Sequence, residues 1–194
     1  MIDPDDVVKF DRTNFELQEF LMFCVLVAGK SAKTTAKNLE KLFSAIGVDA
    51  INPLEKIHNL KRSGYNLPEL MRRLGFGCYN LKANALIDLA NAVVEKKMDI
   101  KSCSLNDLEK VKGIGPKTAR FFMLYSRPDI KDIAVLDTHL LKYLQNEANI
   151  DVPKATPSGK KYLELEKLLV DIVKKSGKTM HEFDLEIWMK YSKK

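Results

Sequence analysis

The stretch Leu108–Leu144, LEKVKGIGPKTARFFMLYSRPDIKDIAVLDTHLLKYL, decides how the whole chain is interpreted. It predicts the end of a helix, a glycine turn at Lys112-Gly113-Ile114-Gly115, and a second helix that begins at Pro116. Proline suits the first turn of a helix, because its missing N–H would have had no partner there. The unpaired N–H groups of that turn and the positive end of the helix dipole favour a phosphate. The pattern therefore predicts an anion-binding turn between two helices.

Two charged residues follow this turn at positions where helices begin. Lys117 lies in the first helical turn, where the dipole disfavours a positive charge, so a lysine there is unusual. A lysine that simply meets a phosphate is the plainer interpretation. Asp137 follows the short apolar run Ile133–Leu136 and precedes another helix, where an aspartate caps the backbone N–H groups of His139 or Leu140. Capping is the default role of such an aspartate, and it leaves a catalytic role open.

Helical spacing of apolar residues extends over the rest of the chain. It predicts nine helices besides the one that begins at Pro116. They cover residues 15–28, 53–60, 68–74, about 79–96, 105–110, 138 to about 148 and 180–191, and two more include residues 39–46 and 162–173. Candidate N-caps are Asn14, Ser31, Ser104 with Asp107, and Thr179. Ile133–Leu136 is the one strand-like run, and it is too short to be more than a connector. The predicted fold class is all-α.

Composition limits the classes of protein to which the chain can belong. Its 194 residues, 45% of them hydrophobic, suffice for one large or two small cores. A net charge of +6 is compatible with a polyanionic partner, although solvated helix surfaces are often basic too. No run approaches the roughly twenty apolar residues of a membrane helix, and the acidic start MIDPDD is unlike a signal peptide. We expect a cytoplasmic, nucleoid-associated protein without contact to a membrane.

The three cysteines are odd in number and far apart in the sequence. Cys24, Cys78 and Cys103 fit neither a disulfide framework nor a metal site, so we expect no metal and reduced cysteines that pack in the core.

The order of the motifs resembles the helix-hairpin-helix DNA glycosylase superfamily. The motifs are Gly113-x-Gly115-x-Lys117-Thr118-Ala119 and, about twenty residues on, Val135-Leu136-Asp137-Thr138-His139; a helix start at Tyr79-Asn80-x-Lys82-Ala83 extends the resemblance upstream. The resemblance implies two helical domains with the active-site cleft between them. One would comprise residues 31–127, with the helix-hairpin-helix at about 105–127, and the other residues 1–30 together with 128–194.

The resemblance also implies a bifunctional enzyme that removes a base from DNA and then nicks the strand. Lys117 would attack C1′ of the flipped nucleotide, with Asp137 stabilising the positive charge that develops on the sugar. A Schiff base then permits β-elimination. The expected contacts to the DNA backbone are Lys112, Gly113, Gly115 and Arg120. His139 is expected to be structural, and a solvated helix face is the more plausible meaning of Lys30, Lys82, Arg72 and Arg73.

Within the superfamily the chain most resembles the compact archaeal and bacterial 8-oxoguanine DNA glycosylase/AP lyase branch. Phe183-Asp184-Leu185-Glu186-Ile187-Trp188 looks like the terminal motif of that branch. This implies a base pocket that includes Asp184, Trp188 and Lys194, although a core role for Trp188 is equally plausible. The chain departs from the branch in a slightly longer loop before Asp137, and in having Gly29-Lys30 where relatives place the Asn or Gln that fills the gap left by the flipped base.

Excision of 8-oxoguanine from double-stranded DNA is therefore the predicted function, carried out by a monomer. A cluster-free relative of endonuclease III that removes oxidised pyrimidines is one alternative. A non-catalytic helix-hairpin-helix module that only binds DNA is another. The resemblance implies no required cofactor and no iron–sulfur cluster, since the chain has no cysteine after Cys103. It allows a monovalent cation at the hairpin.

Overall fold

The computed structural model describes residues 2–4, 6–48 and 52–192, and within these ranges it contains helices and no strand. The all-α prediction is thus confirmed. The helices are α1 (Asn14–Val27), α2 (Ala32–Ile46), α3 (Pro53–Arg62), α4 (Leu67–Arg73), α5 (Tyr79–Val94), α6 (Leu105–Glu109), α7 (Pro116–Ser126), α8 (Thr138–Asn146), α9 (Gly159–Ser176) and α10 (Met180–Ser192).

Contacts divide the chain into two compact units, residues 1–114 and residues 115–194, so the boundary falls within the glycine hairpin. In the first unit α1 packs on α2, α3 and α5, and α5 also packs on α3 and α4. In the second unit α10 packs on α7, α8 and α9. The division implied by the resemblance, residues 31–127 against 1–30 with 128–194, stays a prediction.

Helix α1 is buried from Leu17 to Leu26, as expected for a helix that is apolar almost all round. Its N-cap is Thr13 rather than the predicted Asn14. The Thr13 hydroxyl accepts a hydrogen bond from the Glu16 N–H at 3.3 Å, and the Glu16 carboxylate accepts one from the Thr13 N–H at 2.8 Å. This reciprocal capping box satisfies two backbone donors, which a cap at Asn14 would not do.

The other three predicted N-caps are confirmed by their hydrogen bonds. Ser31 caps α2, and Ser104 and Asp107 form a capping box at α6. Thr179 and Glu182 cap α10 in the same reciprocal way. Each of these side chains occupies a backbone donor that has no partner inside its helix.

The cysteines follow the prediction only in part. Cys24 and Cys103 are buried, whereas Cys78 is exposed and has a positive φ of 54°, so its predicted role as a core residue is wrong. In the described part of the chain, no three His, Cys, Asp or Glu side chains are grouped as a metal site would require. None of the helices described is both long and apolar enough to span a lipid bilayer.

Candidate active site

The hairpin owes its shape to Gly113. Its φ of +88° favours glycine, and a Cβ atom added there would lie 2.4 Å from the Cβ atom of Ala85 on α5. Gly115 differs, because it has an extended backbone with φ −91° and no atom within 4 Å of the place a Cβ would occupy. Gly115 is the N-cap of α7 and makes no side-chain cap, so no side chain of α7 or its cap occupies the N–H groups of Lys117 and Thr118.

Asp137 caps α8 as predicted. Its Oδ1 atom accepts hydrogen bonds from the N–H groups of both His139, at 2.8 Å, and Leu140, at 2.9 Å. Both bonds go to one oxygen, so Oδ2 makes no hydrogen bond with the residues that the structure describes. Lys117, in the first turn of α7, is half-buried, as is Asp137. The second unit thus contains an amine and a carboxylate that are neither fully buried nor fully exposed.

The side chain of Asp184 is affected by the charges of both Lys117 and Asp137. It is buried on α10, and its Oδ2 atom accepts a hydrogen bond from the Tyr125 hydroxyl on α7. The pKa of Asp184 is raised to about 7, mainly by burial. The hydrogen bond from Tyr125 lowers this pKa. The negative charge of Asp137 raises it, and the positive charge of Lys117 lowers it. Lys117 and Asp137 therefore both lie within electrostatic range of one buried carboxyl group.

The Tyr125 hydroxyl is kept neutral by the same surroundings. Burial raises its pKa, and the negative charges of Asp184 and Asp137 raise it further. Tyr125 is therefore a hydrogen-bond donor to Asp184 rather than a source of charge. Lys117, Tyr125, Asp137 and Asp184 form one group, which we call the Lys117 cluster.

Two side chains of α9 hold the connector that leads into Asp137. The Tyr162 hydroxyl donates to the Ala134 carbonyl at 2.8 Å and accepts from the Leu136 N–H at 3.1 Å. Glu166 accepts from the Ala134 N–H at 2.9 Å. The connector Ile133–Leu136 is buried and has no strand partner, so these side chains satisfy backbone groups that would otherwise be left unpaired.

The predicted contact between Arg120 and DNA is wrong. Arg120 is only 5% exposed, and its guanidinium forms two hydrogen bonds to Glu166, Nε to Oε1 at 2.5 Å and Nη2 to Oε2 at 2.9 Å. The guanidinium also lies 4.6 Å from the ring centre of Tyr162. A buried arginine in a bidentate pair holds α9 against α7, and it is not available to a phosphate.

The remaining predicted site residues are dispersed. Lys112 is exposed. Trp188 is 43% exposed, which disfavours the core role that was weighed for it. His139 is half-buried, and its Nδ1 atom is buried without a hydrogen-bond partner among the described residues. Lys194 lies outside the described residues.

The basic residues of the first unit divide into two kinds. Arg72 and Arg73 are exposed and pair with Glu69, as solvated helix faces do. Lys82 is 7% exposed, and its Nζ atom donates to the Leu26 carbonyl, so its interpretation as part of a solvated face is wrong.

Sequence reasoning missed Tyr125, Tyr162 and Glu166. Tyr162 and Glu166 lie four residues apart and share one buried face of α9 with Leu165 and Leu169. A carboxylate on an otherwise apolar helical face indicates an internal partner, and this signal was present in the sequence. The partner of Tyr125 could not be identified, because it lies 59 residues away on another helix.

Comparison with known proteins agrees with this geometry. Residues 6–178 match the Ogg-HhH family, described as 8-oxoguanine DNA glycosylase. The 8-oxoguanine DNA glycosylase/AP lyase of Methanocaldococcus jannaschii is 30% identical over 185 residues, which covers 92% of this chain and 81% of that protein.

Solved structures give the same result. The crystal structure of the M. jannaschii 8-oxoguanine DNA glycosylase has a TM-score of 0.70 at 25% identity, covering 95% of this chain and 81% of that one. The 8-oxoguanine DNA glycosylase of Thermotoga maritima has a TM-score of 0.69 at 26% identity, covering 95% and 83%. The match extends over most of the chain, and the chain belongs to the helix-hairpin-helix 8-oxoguanine DNA glycosylase family.

Proposed function

We propose that this chain removes 8-oxoguanine from double-stranded DNA and nicks the strand, through a covalent intermediate on Lys117. The observation that carries the proposal is the placement of an amine and a carboxylate at two helix starts: Lys117 lies half-buried in the first turn of α7, and Asp137 caps α8 through one oxygen only. The relatives named 8-oxoguanine DNA glycosylase/AP lyase support both the base and the two activities.

In the proposed reaction the Nζ atom of Lys117 attacks C1′ of the flipped nucleotide. A bond forms between Nζ and C1′, the glycosidic bond breaks, and the base leaves with its bonding electrons and takes up a proton. Opening of the sugar gives a Schiff base between Lys117 and C1′. Loss of a proton from C2′ then expels the 3′ phosphate and nicks the strand.

Asp137 stabilises the positive charge that develops on the sugar as the glycosidic bond breaks. One of its oxygens is fixed by the two backbone donors of α8, which sets the direction of the other. A carboxylate that is oriented before the reaction needs no reorganisation in the transition state, and this is the main source of electrostatic catalysis. The same hydrogen bonds that cap the helix therefore serve the chemistry.

The hairpin binds the DNA backbone through N–H groups rather than through Arg120. Space next to Gly115 is open, and the first turn of α7 has N–H groups that no side-chain cap occupies. Lys112 adds an exposed positive charge. We propose that Asp184, Trp188 and Lys194 belong to the base pocket.

We also propose that the reaction needs no cofactor and no iron–sulfur cluster, and that the protein acts as a monomer in the cytoplasm, associated with the nucleoid. A monovalent cation at the hairpin stays a prediction.

The test is trapping with borohydride, which reduces a Schiff base to a stable bond between protein and DNA. Duplexes carrying 8-oxoguanine, thymine glycol or an abasic site are compared, using the wild type and Lys117→Gln. We expect trapping of the wild type on 8-oxoguanine and on the abasic site. In Lys117→Gln the yield of trapped complex should fall by at least about a hundredfold, because the nucleophile is gone.

Lys160→Gln is the matched control, since Lys160 is exposed and is also the second residue of its helix, α9. This variant should be trapped like the wild type. Trapping on thymine glycol alone would assign the chain to oxidised pyrimidines. Binding of all three duplexes without any trapping would leave a module that only binds DNA.

A further inference from the structure

A cavity in the first unit is lined by two lysine side chains and, among the described residues, by no carboxylate. It has a volume of about 210 Å³ and opens at the N-terminus of α2, where Ser31 is the cap. Lys30 and Lys82 both line it, and neither forms an ion pair with a carboxylate among the described residues. The positive end of the α2 dipole adds to the two ammonium groups.

Lys82 is the unusual member of this group, because more than nine-tenths of its surface is buried. Its ammonium has three N–H donors, and one of them is used by the carbonyl of Leu26. Burial lowers the pKa of Lys82, the Cys78 thiol opposes this, and the charge of Lys30 lowers the pKa further. A buried ammonium without a counter-ion is costly, so an anion in the cavity would relieve both burial and repulsion.

Lys30 reaches the cavity across Gly77. A Cβ atom built at Gly77 would lie 2.4 Å from Cε and 2.5 Å from Nζ of Lys30. The ammonium of Lys30 therefore lies directly against the backbone at Gly77, and both residues line the cavity.

Two neutral side chains add possible hydrogen-bond donors to the cavity. Thr35 is 3% exposed and Asn38 is 7% exposed, and both line the cavity. The amide nitrogen of Asn38 donates to the Gly75 carbonyl at 3.3 Å and has a second N–H. A threonine hydroxyl and an amide N–H beside two ammonium groups are donors that an anion can accept from.

The position of the cavity on α5 indicates which anion it binds. Lys82 precedes Ala85 by three residues, and Ala85 is the residue against which hairpin Gly113 lies. Residues three apart on a helix are neighbours, with Cβ atoms about 5–6 Å apart. The cavity and Gly113 therefore lie next to each other along α5, and both belong to the first unit.

We propose that the Lys30–Lys82 cavity binds a phosphate of the DNA backbone, in addition to the phosphate held by the hairpin. This rests on the proposed function, because it takes DNA as the substrate. The two lysines supply the charge, and Thr35, Asn38 and the first turn of α2 supply hydrogen-bond donors.

The test measures the affinity for undamaged duplex DNA as a function of salt concentration, by fluorescence anisotropy. The proteins are the wild type, Lys30→Met, Lys82→Met and the control Lys41→Met, an exposed lysine of α2 outside the cavity. Loss of one phosphate contact lowers the slope of log K against log salt by about 0.9. We expect this decrease in Lys30→Met and Lys82→Met but not in Lys41→Met. Lys30 is exposed, so its variant keeps the test valid if Lys82→Met fails to fold.

A second measurement separates DNA from free phosphate. Thermal unfolding is followed in potassium phosphate and in potassium chloride at equal ionic strength. If phosphate stabilises the wild type but not Lys82→Met while the salt slopes are unchanged, the ligand is a free anion and the DNA assignment is overturned. Unchanged slopes without any effect of phosphate would overturn the site altogether.

The proposed function is tested independently of this site. Trapping of the wild type on 8-oxoguanine depends on Lys117, whereas the slope on undamaged DNA does not involve the reaction. A reduced slope without trapping would support the cavity and reject the reaction, and trapping with unchanged slopes would do the reverse.

Discussion

The buried carboxyl group of Asp184 makes the stability of the second unit depend on pH in an unusual direction. In the folded protein it keeps its proton up to about pH 7, whereas the unfolded chain releases it near the ordinary value of 3.8. Between these values the folded state binds more protons, so stability falls as the pH rises. The difference between the two pKa values, at about 1.4 kcal/mol per pKa unit, sets an upper limit of about 4 kcal/mol on the unfolding free energy that is lost.

Asp184→Asn should remove this dependence, because the amide has no proton to lose and its oxygen can still accept from Tyr125. We expect the variant to gain stability relative to the wild type at pH 8 and to differ little at pH 4. Denaturant unfolding followed by the fluorescence of Trp188, the single tryptophan, measures this in the second unit. Asp151→Asn, at an exposed position, is the control. Equal pH dependence in all three proteins would contradict the prediction.

At the scale of elements, the placement of Asp137 depends on α9. Tyr162→Phe keeps the buried ring but removes the hydroxyl that serves the Leu136 N–H and the Ala134 carbonyl. Two buried backbone groups are then left unpaired, so we expect a loss of about 1–3 kcal/mol in unfolding free energy. The rate of trapping on 8-oxoguanine should also fall, because the connector that leads into the α8 cap is loosened.

Tyr143→Phe makes the same chemical change at a hydroxyl that has no hydrogen-bond partner among the described residues, although its ring contacts Phe183. It should cost less than about 0.5 kcal/mol. Unfolding by denaturant and single-turnover trapping provide the two measurements. A Tyr162→Phe protein as stable and as fast as Tyr143→Phe would show that α9 does not hold the connector.

Most helices could be predicted because their signals are local. Helical periodicity, Ser31 and Ser104 as caps, and Pro116 in a first turn are all properties of short segments. The two hydrogen bonds of Asp137 are local as well. Arg120 was misinterpreted because its partner, Glu166, is 46 residues away, and sequence spacing does not reveal which charged residues meet in the interior. The burial of Lys82 was missed for the same reason.

Over the whole molecule, 32 Lys and Arg against 26 Asp and Glu give a net charge of +6, which favours DNA without regard to its sequence. The two phosphate sites that we propose, at the hairpin and in the Lys30–Lys82 cavity, would together make two phosphate contacts. Each contributes about −0.9 to the slope of log K against log salt. We therefore expect the slope of log K against log salt for the wild type to be about −1.8 or steeper. Such a slope lowers the affinity about tenfold between 50 and 200 mM salt.

This salt dependence should be the same for undamaged DNA and for DNA carrying 8-oxoguanine. Phosphate contacts release counterions, whereas contacts to a flipped base do not, so the lesion should raise affinity at every salt concentration without changing the slope. Anisotropy titrations with Lys117→Gln measure both duplexes without the complication of cleavage. A steeper slope on the damaged duplex would mean that base recognition brings further phosphates into contact, and would contradict a backbone interface already complete on undamaged DNA.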